Sequence, residues 1–175
     1  MDFFKAVETR HSIRAFTPEL IEEAKLKKIL DAVNSAPSAG NLQAYEIILV
    51  KDFTQKKKLA EACMSQGSQG SVSSASAVLV FCSNPEKASK YGERGKDLYS
   101  IQDATIACTY AQLACAAQGI GSCWIGAFDE KAVGEVINAP FGMKVVAILP
   151  MGYPAKAPNP TSRRKLDDLV KEEKF

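Results

Sequence analysis

Apolar positions along the chain switch between a helical and a strand period, and the switches outline its elements. Phe3, Phe4 and Val7 give a short amphipathic helix. Leu26, Ile29, Leu30 and Val33 follow i, i+3, i+4, i+7 spacing, which predicts a helix over roughly 22–35 with one buried face. Pro37 and Gly40 break that pattern in "APSAGNLQAY", after which "EIILV" reads as a buried strand. Leu59, Ala62 and Cys63 predict another helix. The following "SQGSQGSVSSAS" reads as a flexible surface loop, long enough to be a functional one. "AVLVFCS" is a second strand and "NPEKASKYGERGKD" a polar loop. From about Gln102 to Gln118 the chain is alanine-rich without Pro or Gly, which predicts a long helix. Its Ala104, Ala107, Ala111 and Ala114 permit close approach of another helix or of a flat ligand. "SCWIGAF" is a third strand, Asp129 caps a short helix through Ile137, and "KVVAILP" is a fourth strand. "YPAKAPNPTSRR" reads as an extended proline-rich arm before a short charged helix.

Helices and strands alternate, but several strands lack a crossover helix, so the expected class is α+β rather than a doubly wound sheet. The 175 residues suffice for one domain with a substantial core, and residues 1–175 are expected to form a single one. A 46% hydrophobic and 24% charged composition is globular, and a net charge of +2 does not argue for nucleic acid or an anionic membrane. No apolar run approaches the ~20 residues of a membrane span, and "MDFFKAVETR" lacks the apolar core of a signal peptide. The five cysteines are scattered without CxxC pairs, and His11 is the one histidine, so no metal-ligand spacing exists. The cysteines read as small buried apolar side chains in a reducing, cytoplasmic setting.

Several chemistries are excluded by what is missing. There is no GxxxxGK[ST] phosphate loop and no GxSxG elbow. "GIGSCWIG" begins like a dinucleotide fingerprint but carries Trp124 where the third glycine belongs, and it follows a helix. An enzyme with this sequence therefore relies on a cofactor for its chemistry. Four segments offer the means to hold one. "ETRHSIRAF" gathers Arg10, His11 and Arg14 around Ser12, the donors a phosphate takes, although alone it reads first as a solvated basic turn. "PSAGNLQ" places Ser38, Asn41 and Gln43 on a loop that Gly40 allows to bend; a planar heterocycle needs that mixture of donors and acceptors, as does any polar loop. "GIGSCWIGAF" combines glycines for close backbone approach with Trp124 and Ile125, flat apolar surface or core strand. Arg163 and Arg164 follow the proline-rich arm, where paired arginines are mostly surface charge.

Together these segments resemble, in order and spacing, the nitroreductase family of FMN-dependent oxidoreductases. "RHSIRAF" resembles its R-[RH]-S-x-R signature, and "APSAGNLQ" its A-P-S-x-x-N-x-Q loop. "QDATIACTYAQLACAAQGIGSCWIGAF" looks like the family's long helix and following strand, and "PMGYPAKAPNPTSRRKLDDLV" is similar to its ending. The resemblance covers essentially the whole chain. It implies a nitroreductase-like α+β fold, a central mostly antiparallel sheet flanked by helices, in a homodimer with C-terminal arm exchange. It implies that Arg10, Ser12 and Arg14 hold the phosphate and ribityl end of FMN with His11 alongside, and that Arg163, or Arg164 in its place, closes on the phosphate. Pro37, Ser38, Asn41 and Gln43 would contact the flavin from the same subunit or the partner, with Gln69 as a weaker candidate. Trp124 and Ile125 would back the ring, leaving an amide of Gly126 or Ala127 for its N5. The implied activity is ping-pong reduction of nitroaromatics, quinones or similar electron-poor acceptors by NADH or NADPH. Reductive dehalogenases and flavin-fragmenting enzymes share the fold, and a non-catalytic flavin-binding redox sensor is the alternative from another class. Gln43-Ala44-Tyr45 stands where the family often has Gln-Pro-Trp, and the middle of the chain is short; both bear on substrate choice.

Overall fold

The strands come together as one sheet in the order β1 (Tyr45–Val50), β2 (Ala77–Ser83), β4 (Lys144–Gly152), β3 (Gly121–Ser122), every pair antiparallel. A computed structural model describes residues 1–158 and 161–175, so residues 159 and 160 of the proline-rich arm lie outside the described residues. β2 is buried along its whole length, and its side chains divide by the two-residue period. Ala77, Leu79 and Phe81 face α2 (Glu23–Asn34) and α6 (Ser100–Ala117), meeting Leu26, Ile29, Val33, Ala104, Ala107 and Cys108. Val78, Val80 and Cys82 face the opposite layer of α3 (Phe53–Glu61), α4 (Gln66–Ser74) and α7 (Glu130–Val136), represented by Leu59, Val72 and Val133. Each such fully buried aliphatic side chain contributes roughly 1.5–3 kcal/mol, so the sheet is held from both faces. The α+β expectation is met.

Local signals behave as their chemistry dictates. Asp129 caps α7 by accepting from the Ala132 amide at 3.0 Å, and Asp2 caps α1 (Phe3–Thr9) through the Phe4 amide at 2.9 Å. Four expectations need correction. The Gly/Ser stretch is not a loop: Ser65 caps α4 through the Ser68 amide, and Ser71 and Val72 are buried where α4 packs on α3. Tertiary burial overrides the poor intrinsic helix propensity of its glycines and serines. The "polar loop" after β2 is a run of turns: a 3-10 segment Pro85–Tyr91, one turn α5 (Gly92–Arg94) and a π turn Gly95–Tyr99 leading into α6. "SCWIGAF" is not a continuous strand. β3 pairs only at Gly121–Ser122, and the chain returns to β4 at a single bridge, Ile125 to Ile148. The charged C-terminal helix shrinks to one exposed turn, α8 (Leu166–Leu169).

Candidate functional site

The opening basic motif is extended chain laid along the sheet edge. The Ile13 amide donates to the Ser122 carbonyl at 2.9 Å, and the Thr17 amide to the Tyr153 carbonyl at 2.8 Å. Gly121 makes this possible, because a Cβ there would sit 2.8 Å from the Ile13 Cβ. The Ala155 amide in turn donates to the Ala15 carbonyl at 2.9 Å, which starts the C-terminal arm across the motif. Arg10, His11, Ser12 and Arg14 thereby face Lys156, Pro158, Thr161 and Arg163 across a cavity of about 570 Å³. Among the described residues, Arg10, Arg14 and Lys156 make no ion pair. Arg163 donates to Thr161 Oγ1 at 3.2 Å and to the Ser162 carbonyl at 3.3 Å. Arg164 is exposed and does not line the cavity. Cys123 lies beside this cradle; burial pushes its thiol up, against the opposing pull of Arg14, Ser12 and Arg10.

The second locus is the loop between α2 and β1. Gly40, Asn41 and Gln43 all adopt left-handed backbone, at φ of 55°, 55° and 49°. The conformation is internally braced: Ser38 Oγ accepts from the Gln43 amide at 2.9 Å, and Gln43 Nε2 donates to the Asn41 carbonyl at 3.1 Å. Asp103, in the first turn of α6, accepts from the Ala39 amide at 2.9 Å and the Ala44 amide at 3.3 Å. Pro37 and Ser38 line an open recess with Tyr99, Gln102, Asp103 and Ile106.

A third group sits beyond β3. Trp124 is half-buried, whereas Ile125 is 4% exposed, with its side chain in the core between α7 and the sheet. Gly126 and Ala127 are exposed, and neither amide donates to a backbone carbonyl among the described residues. Gln69 is on α4 behind them, donating to the Cys63 carbonyl at 2.9 Å; Cys63 in turn bridges Phe128.

One chain does not bring these groups into one site. Gln102 and Ile106, near the start of α6, line the loop recess, whereas Gln112 and Ala116 near its end line a small cavity shared with Arg10 and His11. Ten residues of helix separate Gln102 from Gln112, about 15 Å at 1.5 Å per residue. The arginines and the Ser38–Gln43 loop thus occupy opposite ends of α6.

A family model described as the nitroreductase family matches residues 7–77 and 65–153. The chain belongs to the nitroreductase family. Over 154 residues it is 36% identical to an Archaeoglobus fulgidus protein whose name joins NADH dehydrogenase and NAD(P)H nitroreductase, covering 86% of this chain and 84% of that one. It is 30% identical over 168 residues to the FMN reductase [NAD(P)H] of Bacillus subtilis, covering 88% of this chain and 66% of the relative. Among solved structures, the NADPH:FMN oxidoreductase of Vibrio harveyi complexed with NAD+ aligns at a TM-score of 0.89 and 25% identity, over 99% of this chain and 77% of that one.

Against the nitroreductase motifs, sequence reasoning missed Lys156 and Asp103. Lys156 enters the cradle only because the arm folds back over Ala15, and Asp103 lies inside the alanine-rich run; neither carries a spacing signal of its own. Among the described residues no cluster of His, Cys, Asp or Glu suits a metal, and no helix is long and apolar enough to cross a membrane.

Proposed function

We propose that this nitroreductase-family chain is an NAD(P)H-dependent FMN oxidoreductase, a flavoprotein whose site is completed by a second copy of the chain. The observation that carries the reading is the convergence of Arg10, Arg14, Lys156 and Arg163 with Ser12 on one cavity, with no carboxylate lining it. Forked guanidinium donors, an ammonium and a hydroxyl suit a phosphate dianion, and the cavity volume falls in the range of small-ligand sites. The relatives named as FMN reductase and NADPH:FMN oxidoreductase support the same cofactor and reductant.

Bound FMN would supply two-electron redox chemistry between NADH or NADPH and an electron-poor acceptor such as a nitroaromatic or quinone. The chain's residues bind and orient. Arg10, Arg14, Lys156 and Arg163 hold the phosphate with Ser12 and His11, and Arg164 is the reserve cation. Pro37, Ser38, Asn41 and Gln43 would contact the ring system, Trp124 and Ile125 would stand behind it, and the Gly126 or Ala127 amide would be free to donate to it. Gln69 supports that last segment from behind. One site serves donor and acceptor in turn, so the kinetics are ping-pong.

Because the phosphate cradle and the ring-contacting loop lie at opposite ends of α6, the loop of one protomer meets the cradle of its partner. The exposed apolar side chains Phe3, Phe4 and Val7 on α1, and Leu166, Leu169, Val170 and Phe175, are the surface such a homodimer would cover; arm exchange is confined to the residues beyond Arg163, because Lys156 and Arg163 line the cradle of their own chain. The chain acts as a single domain of residues 1–175. Its five free, buried cysteines suit a cytoplasmic setting.

The test is a visible spectrum of the FMN-reconstituted protein, with anaerobic bleaching by NADH or NADPH and reoxidation by a quinone. Light scattering at the same loading is expected to give the mass of two chains. A protein that stays colourless with FMN, or whose flavin neither nucleotide reduces, refutes the reading.

A further inference from the structure

Asp103 is a buried carboxylate, 2% exposed, with no cationic partner among the described residues. An unpaired buried charge is costly unless hydrogen bonds replace its lost water. Here both oxygens are used: Oδ1 accepts from the Ala39 amide at 2.9 Å and Oδ2 from the Ala44 amide at 3.3 Å. Those two amides bracket residues 40–43, which include the left-handed Gly40, Asn41 and Gln43. Left-handed backbone at non-glycine residues persists only where the surroundings over-determine it. A first-turn acid also complements the α6 dipole, but that role requires neither two oxygens nor contact with a distant loop. The charge also reaches Tyr45 at the start of β1, whose phenol burial and then Asp103 push up. The carboxylate therefore acts as a two-point staple between α6 and both ends of the loop.

We infer that Asp103 is the positioning residue of the ring-contacting loop: without touching the cofactor, it fixes Ser38, Asn41 and Gln43 in the arrangement that tunes the bound flavin. This rests on the FMN reading above. An asparagine at 103 keeps one acceptor but turns an NH2 donor toward the second amide, which unpins one end of the loop while preserving volume.

The experiment compares wild type with Asp103→Asn in the full-length, FMN-loaded protein. Amide exchange at Ala39 and Ala44 is expected to rise about tenfold or more in the variant, the loss of roughly one hydrogen bond to a charged group, while β2 amides stay protected. With its donors displaced, the loop stabilises the reduced flavin less. The midpoint potential is then expected to fall by about 30 mV, the equivalent of tenfold for a two-electron couple. FMN affinity, governed by the arginine cradle, is expected to change less than tenfold. Faster loop exchange with an unchanged potential and visible spectrum overturns the proposal and leaves Asp103 a purely structural brace, with the cofactor reading intact. Should Asp103→Asn not fold, Asp103→Glu carries the same test, since its longer side chain shifts both oxygens while keeping the charge. A Glu variant with wild-type potential and spectrum, or failure of both variants to fold, overturns the proposal. Wild-type protein that takes up no FMN refutes the cofactor reading before any variant is made, and this proposal with it.

Discussion

The two ends of α6 present opposite solutions to ligand binding. At the Gln112 end, the cradle is built from long cationic side chains on extended chain and on the arm, and no lining carboxylate neutralises Arg10, Arg14 or Lys156. At the Gln102 end, the 37–44 loop is built from backbone: three left-handed residues, a serine hydroxyl and a buried carboxylate fix its shape. The cradle presents long cationic side chains on backbone pinned to the sheet edge, whereas the loop has shape and no cationic side chain of its own. On the function proposed above, the cationic cradle governs how much cofactor is held, and the braced loop governs what the held cofactor does. Substitutions at the two ends are expected to separate along that line.

The largest effect is expected at the cradle. Arg14→Ala removes a charge-assisted hydrogen bond to phosphate, about 1.5–3 kcal/mol, which weakens FMN binding about ten- to a hundredfold. Excess FMN is expected to restore most of the maximal rate, and riboflavin, lacking the phosphate, to bind variant and wild type alike. Fluorescence titration with both ligands measures this. An Arg14→Ala protein that binds FMN as tightly as wild type returns "ETRHSIRAF" to a solvated turn.

The loop gives the mirror-image result. Gly40 sits at a φ of 55°, and a Cβ there would collide with the Tyr91 hydroxyl and approach Lys90 Nζ to 2.9 Å. Gly40→Ala is expected to cost about 1–2 kcal/mol in left-handed strain, lowering Tm by roughly 2–8 °C for a chain of this size. Its FMN affinity is expected to shift less than that of Arg14→Ala. Thermal melts of the apo protein, run beside the titrations, decide it. If Gly40→Ala loses FMN as Arg14→Ala does, the division between holding and tuning fails.

That division was half legible in the sequence. Arg10, His11, Ser12 and Arg14 declare themselves because four polar groups fall within five positions, and Arg163 follows from the ending it shares with the family. Ser38, Asn41 and Gln43 were equally visible as residue types. Their common conformation was not, because beside its local bonds it is held by Asp103, 59–64 residues away in sequence from the two amides it accepts from. The helix in "SQGSQGSVSSAS" was hidden for the same reason. No local propensity favours it, and burial of Val72 against the sheet layer secures it. Strong periodicity exposed α2, and an alanine-rich run free of Pro and Gly exposed α6, whereas features set by long-range contact left no local trace.

Thiols are expected to lie outside the contrast altogether. Burial pushes Cys63 and Cys82 up to about 11 and Cys115 to about 12, and Cys108 is pushed further in the same direction. Native protein at pH 8 is therefore expected to react slowly with a disulfide reagent, all five thiols becoming available only on denaturation. Cys123, beside the cradle, is the sensitive case. Cys123→Ser is expected to retain FMN and NADH oxidation, and loss of turnover in a folded, loaded Cys123→Ser protein would implicate a thiol in the chemistry.

The smallest effect concerns how the cradle is anchored. Tyr153, where the arm leaves β4, donates to Glu22 Oε2 at 2.5 Å, and Lys25 Nζ donates to the Tyr153 hydroxyl at 2.5 Å, so α2 grips the arm just before it turns over Arg14. The Tyr153 hydrogen bond, then the backbone, then Lys25 hold the Glu22 carboxyl down to about 2, against an ordinary 4.5. A folded-state value below the unfolded one means that this contribution is present above pH 4.5 and is lost as pH falls toward 2. Glu22 is solvent-exposed, so screening keeps the gain small. Glu22→Gln cannot titrate, and the acid limb of its stability curve is expected to be shallower than that of wild type between those two pH values. Urea midpoints measured from pH 6 down to pH 2.5 supply the comparison. Parallel curves for the two proteins would show that the Glu22–Tyr153–Lys25 cluster does not anchor the arm, and the cradle would then owe its geometry to the backbone bonds of Ala15 and Thr17 alone.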